Sequence, residues 1–148
     1  MGGTRSYPDR PYVGVGAAIV RDGEVLLVKR KHEPLRGQWS LPGGAVEAGE
    51  TLQACLTREM REETGLEIEV GPVVEVLDRI THDAEGRVAF HFVLIDYLCR
   101  PVGGALRPGS DVEEAAFVGS PGLPEYELPD EALRVIARAL RLGAAWPA

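Results

Sequence analysis

Apolar positions change their spacing along this chain, and each change marks an element. "VGVGAAIV" and "EVLLVKRK" are rich in β-branched and apolar residues and flank Asp22-Gly23. That dipeptide favours a two-residue hairpin turn, so residues 13–20 and 24–31 are expected to pair as antiparallel strands. "EPLRGQWSLPGG" reads as a loop with a short strand near Trp39–Leu41, punctuated by Pro34, Pro42, Gly43 and Gly44. From Thr51 the spacing becomes helical: Leu52, Cys55 and Leu56 share a face, and Gly65 supplies a stop, which predicts a helix over 51–64. "LEIEVGPVVEVLDRI" is strand-like but interrupted at Gly71-Pro72. "HDAEG" is a turn, "RVAFHFVLIDYLCR" a long strand, "PVGGALRPGSD" a loop and "EAAFVG" a short strand. "PDEALRVIARALRLG" predicts a second helix that starts at Pro129, stops before Gly143 and buries Leu133, Ile136, Ala137 and Leu140. Hairpins mixed with two separated helices imply an α/β or α+β sandwich built on a mixed sheet.

Composition narrows the class. The chain has 148 residues, enough for one domain with a real core. It is 45% hydrophobic and 26% charged, as ordinary globular domains are. A net charge of -7 argues against a basic face for nucleic acid. No apolar run nears the roughly 20 residues of a membrane span, and the N-terminus lacks the apolar stretch of a secretory signal. Cys55 and Cys99 are too few for a disulfide framework and read as buried thiols. A cytoplasmic setting is the expectation.

The first predicted helix carries unusual chemistry. With Leu52 at zero and about 100° per residue, Cys55 falls at about 300° and Leu56 at about 40°. On the same wheel Glu59 falls at about 340°, Glu62 at about 280° and Glu63 at about 20°. The acids therefore continue the sector of the buried residues instead of opposing it. Glu59 and Glu63 are a like-charge i,i+4 pair near a helix C-terminus, and both placements are unfavourable. A cation resolves the conflict. Carboxylates are hard ligands, so Mg²⁺ is the expected ion, with Mn²⁺ able to substitute. The plainer reading is a surface helix paired with lysines and arginines.

Gly44, Glu50 and the run Arg58-Glu59-Met60-Arg61-Glu62-Glu63-Thr64-Gly65-Leu66 together resemble the Nudix box at every specified position. The order of elements resembles a Nudix domain over residues 12–142, leaving a flexible N-terminal tail over 1–11 and a C-terminal tail over 143–148. The resemblance implies a Nudix-type α/β/α sandwich with a mixed β-sheet. It also implies Mg²⁺-dependent hydrolysis of a nucleoside diphosphate linked to another moiety, such as a nucleoside triphosphate or an ADP-ribose-like compound. Glu59, Glu62 and Glu63 would be metal ligands, joined by the backbone carbonyl of Gly44 or of Gly43. Arg58 would orient the glutamates, with Glu50 as its partner. Gly65 is read as structural, and Met60 and Leu66 as core.

A carboxylate must accept the proton of the attacking water. Glu59 is the first candidate. Asp111, Glu113 and Glu114 are the alternatives, on a loop that Gly103, Gly104 and Gly109 would allow to close. Candidate substrate contacts are the basic residues Arg30, Lys31, Arg36 and Arg79 and the aromatics Trp39, Phe90, Phe92 and Tyr126. The downstream proline that marks many ADP-ribose hydrolases of the family is not found around Thr81 and His82. A nucleotide-type small molecule is the expected partner, with neither nucleic acid nor membrane. A homodimer is expected because small mixed sheets often cover an exposed strand with a second copy. The alternative function is a non-catalytic Nudix module that senses a nucleotide or binds a partner, although such modules usually lose the box glutamates that this chain keeps.

Overall fold

A computed structural model describes residues 5–33 and 35–147. Seven strands and two helices follow one another as β1 (Tyr12–Arg21), β2 (Glu24–Arg30), β3 (Trp39–Ser40), β4 (Gly43–Ala45), α1 (Leu52–Thr64), β5 (Leu66–His82), β6 (Val88–Gly104), β7 (Val112–Gly119) and α2 (Asp130–Ala145). A 3₁₀ turn over Ser120–Tyr126, which the sequence pattern does not predict, joins β7 to α2. The central path is β3-β2-β1-β6-β5, with β4 added to β1 and β7 to β2. β1 and β6 run parallel, while the other pairs are antiparallel, so the sheet is mixed.

The hairpin between β1 and β2 forms as its sequence dictates, with Asp22 at φ 52° and Gly23 at φ 77°. Helices cover both faces of the sheet, and this explains the unbroken apolar runs. Ala17 and Ile19 of β1 join Leu26 of β2 against Cys55, Leu56 and Met60 of α1. Ala18 points the other way, with Leu98, toward Val135 and Ala139 of α2. Alternation still governs each strand, but both faces are buried, so both sets of positions are apolar.

Three boundaries differ from the sequence reading. β5 is continuous through Gly71-Pro72, with its register irregular between Val70 and Val73. Pro72 sits at that bulge, where a missing N–H costs no ladder bond. β6 runs on to Gly104, into the stretch expected as loop. α2 buries Val135, Ile136 and Ala139, and Ala137 is exposed. The helix also continues through Gly143, where a Cβ would lie 3.1 Å from Val20 Cγ1. Gly143 thus serves close packing on β1 rather than helix termination.

Part of the expected N-terminal tail is tethered. Tyr7 N–H donates to Ala89 O at 2.7 Å, and Tyr7 Oη–H donates to Asp83 Oδ2 at 3.0 Å. Residues 1–4 lie outside the described residues. No helix among the described residues is long and apolar enough to cross a membrane.

Candidate active site

Thr51 opens α1 by accepting a hydrogen bond from Ala54 N–H, and Gly65 closes it at φ 76°. Between these caps the helix turns one face to the sheet. Its first half contributes Cys55, Leu56 and Met60 to the core, and its second half brings Glu59 and Glu63 to the edge of a cleft of about 700 Å³. Both glutamates are buried, at 7% and 6% exposure. Glu62, at the margin of the predicted sector, keeps a side chain 58% exposed.

Opposite them, β4 presents backbone rather than side chains. Gly43 N–H donates to Glu63 Oε1 at 3.2 Å. A Cβ on Gly44 would fall 2.2 Å from Glu59 Cδ and 2.5 Å from each of its oxygens. The carboxyl group of Glu59 occupies space that only glycine leaves open.

Two arginines hold the acids. Arg58 Nε and Nη2 donate to Glu50 Oε2 and Oε1 at 2.7 and 2.9 Å, a bidentate pair. Arg58 Nη1 donates to Glu59 Oε1 at 2.9 Å and reaches Glu62 Oε2 at 3.5 Å. The hydrogen bonds from Arg58 hold the Glu50 carboxyl well below the ordinary range, down to about 2. Arg30 Nη1 straddles both oxygens of Glu63 at 3.2 Å, while Nε donates to Ser40 Oγ and Nη2 to Leu41 O. Arg30, read from sequence only as a substrate contact, is thus the partner of a box glutamate.

The arginines do not cancel the cost of burial. Burial raises the Glu59 carboxyl to about 7, reinforced by the Glu63 and Glu62 charges and opposed by Arg58. Burial also raises Glu63, against the pull of Arg30. Among the described residues, no three acid, histidine or cysteine side chains converge by themselves as a metal cage. The donor set nevertheless fits a hard dication: two buried, mutually repelling carboxylates, an exposed third beside them and a bare glycine backbone facing them.

The remaining candidates divide by position. Asp111 lines the cleft, 3.3 Å from His32 Nε2, and its charge acts on Glu63. Glu113 and Glu114 do not line it: they lie on β7, exposed, at 3.5 and 3.7 Å from Lys29 Nζ. The loop before β7 is fastened to α1, because Arg107 N–H donates to Thr64 O and Gly109 N–H to Glu63 O. A Cβ on Gly109 would lie 1.8 Å from Glu62 O, so this glycine permits close contact with the helix end rather than loop closure. Trp39, Phe90 and Phe92 line the cleft, and Tyr126 packs edge-on behind Trp39 at 4.8 Å. Arg79 lines it too, held by Glu131 at 3.4 Å, whereas exposed Arg36 does not.

Asp96 on β6 is a buried lining acid that sequence reasoning missed. It is 8% exposed, and burial raises its carboxyl to about 6 against the attraction of Arg79. Its one signal was a lone acid inside the apolar run "FHFVLIDYLC".

Comparison with known proteins agrees with this geometry. The family described as NUDIX domain matches residues 10–138. An ADP-ribose pyrophosphatase of Methanocaldococcus jannaschii is 37% identical over 121 residues, covering 82% of this chain and 69% of that protein. The human 8-oxo-dGDP phosphatase is 33% identical over 118 residues, 80% of this chain but only 33% of its own length. Among solved structures, the MutT NUDIX hydrolase of Burkholderia pseudomallei superposes with a TM-score of 0.76 at 35% identity, covering 88% of this chain and 98% of that one.

Proposed function

Because the chain belongs to the Nudix hydrolase family, which acts on phosphorus-containing acid anhydrides, we propose that it cleaves the diphosphate of a nucleoside diphosphate linked to another moiety, with Mg²⁺ as cofactor. The observation that carries this reading is the burial of Glu59 and Glu63 against the bare backbone of Gly43 and Gly44 at one end of a nucleotide-sized cleft. Glu59 and Glu63, with Glu62 beside them and the Gly44 carbonyl opposite, are the residues that would hold the metal. Bound there, Mg²⁺ supplies charge neutralisation for a diphosphate and acidifies water.

The protein's own groups do the rest. Arg58 fixes Glu59 from one side and is itself fixed by Glu50, so the carboxyl oxygens of Glu59 cannot swing out of the cleft. Arg30 does the same for Glu63 from the strand side. Glu59 stands at the cleft edge with one carboxyl oxygen on Arg58, where a carboxylate can accept a proton from water. Glu59 is therefore the proposed proton acceptor, with Asp111 as the second candidate because it alone of the three loop acids lines the cleft.

The test is a panel of nucleoside triphosphates and nucleoside diphosphate sugars, with Mg²⁺ and with EDTA, scored by the phosphorus products. Hydrolysis of at least one compound that stops in EDTA is expected. Glu59→Gln should lower kcat without rescue by added Mg²⁺ or Mn²⁺, and Asp111→Asn should cost less than about tenfold. The opposite pattern would move the base to Asp111, and no hydrolysis of any compound would favour the sensing module instead.

A further inference from the structure

Away from the glutamates, the same cleft has a second acidic pole. Phe90, Phe92, Leu94 and Asp96 alternate along one face of β6, and all four line the cleft. Asp96 is 8% exposed, yet no hydrogen bond reaches its side chain from any described residue. No side-chain oxygen or nitrogen among the described residues is both sealed and unpartnered, so the carboxyl oxygens open onto the cleft. The charged neighbours are already engaged: Arg79 pairs with Glu131 at 3.4 Å, and Glu75 takes Arg134 Nε at 3.4 Å. A buried, unpaired carboxyl is costly and calls for a partner.

The floor between the two poles is bare backbone. Gly16 of β1 is the register partner of Asp96 on one side and of Gly43 on the other. A Cβ on Gly16 would lie 2.2 Å from Asp96 Oδ1, as one on Gly44 would lie 2.2 Å from Glu59 Cδ. Two strand spacings, roughly 10 Å, separate the backbone beneath the poles. That spacing suits a nucleotide with its phosphates at the glutamates and its base at Asp96, against Phe92 and Leu94.

We propose that Asp96 is a specificity-determining residue that accepts two hydrogen bonds from the base and so selects guanine nucleotides over adenine nucleotides. An ionised carboxylate offers acceptors only. Guanine presents a ring N–H beside an exocyclic amine, two parallel donors that match its two oxygens. Adenine presents one donor beside one acceptor, which sets a lone pair against the carboxylate. With its carboxyl raised only to about 6, Asp96 remains ionised at neutral pH.

This assignment rests on the hydrolase reading of the cleft, so its test has an arm that needs no turnover. GMP and AMP are titrated calorimetrically into the wild-type protein and Asp96→Asn, and Mg²⁺-supported hydrolysis of dGTP and dATP is measured on both. GMP should bind at least about tenfold more tightly than AMP, and dGTP should hold a similar advantage in kcat/KM. Asp96→Asn should abolish or reverse both preferences, since a carboxamide carries one donor and one acceptor and matches the adenine edge. A merely structural Asp96 would not exchange one base for the other. Equal binding of GMP and AMP by the wild type overturns the proposal, as does an Asp96→Asn protein that weakens both alike. A base preference in binding without turnover of any nucleotide supports the role of Asp96 and removes the hydrolase reading. Turnover without base preference does the reverse.

Discussion

Glu63 stands where opposed forces meet most closely. Burial disfavours its charge, Arg30 and the Gly43 N–H favour it, and Glu59 lies one helical turn away. Glu63→Gln removes a charge from the proposed metal site but keeps the shape, so turnover at saturating Mg²⁺ should fall about a hundredfold or more, roughly 3 kcal/mol of transition-state stabilisation. Arg30 retains Ser40 and Leu41 as partners, so thermal melts should show the fold intact. Gly44→Ala attacks the same site from the opposite wall. Its methyl group would displace the Glu59 carboxyl, and steady-state assays should show a comparable loss of activity with circular dichroism unchanged. The wheel anticipated Glu59 and Glu63 because burial on a helix follows its angular sector. It did not anticipate the exposure of Glu62, because the width of the buried sector depends on what packs against the helix.

Helix α1 ends at a point set by two constraints at once. Gly65 has φ 76°, and a Cβ there would lie 2.4 Å from Ala105 O. Gly86, in the turn between β5 and β6, has a similar φ of 82° but open space around it. Gly86→Ala should therefore cost only backbone strain, about 1 kcal/mol. Gly65→Ala adds a clash with the backbone of the following loop and should cost visibly more, and urea unfolding of the two variants side by side checks the order. The helix stop was legible because left-handed φ is a local demand that glycine answers. The fastening of the 105–111 loop to the helix end was not, because it consists of backbone hydrogen bonds between segments more than 40 residues apart, which no side-chain pattern encodes.

Across the whole molecule, the buried acids make stability depend on pH. The Asp96 carboxyl rises from 3.8 to about 6 on folding, so the folded state binds the proton more tightly than the unfolded chain does. The stabilisation from that proton is complete below the unfolded value and is lost as pH rises through about 6, with no further loss above. Asp96→Asn removes this component. In EDTA, its stability relative to wild type should climb between about pH 4 and 7 by on the order of 2 kcal/mol and then level off, as urea unfolding across that range would register. A difference that stays flat with pH would mean that the carboxyl is solvated in the folded protein.

The Glu50–Arg58 partnership came from the resemblance to the Nudix box; from the residues themselves came the hairpin at Asp22-Gly23, the capped helix and the placement of Glu59 and Glu63 on its inner face. Each is a local or helix-periodic matter: turn chemistry, capping and angular spacing are complete within a few residues. The mixed sheet was inferred in kind, but its parallel β1–β6 pairing, which places Asp96 beside Gly16, joins residues 80 positions apart. The same holds for the grip of Arg30 on Glu63 and for the displacement of Glu113 and Glu114 away from the cleft. These depend on which strands become neighbours, and that is decided by burying both faces of the sheet at once, a condition on the assembled protein rather than on any stretch of it.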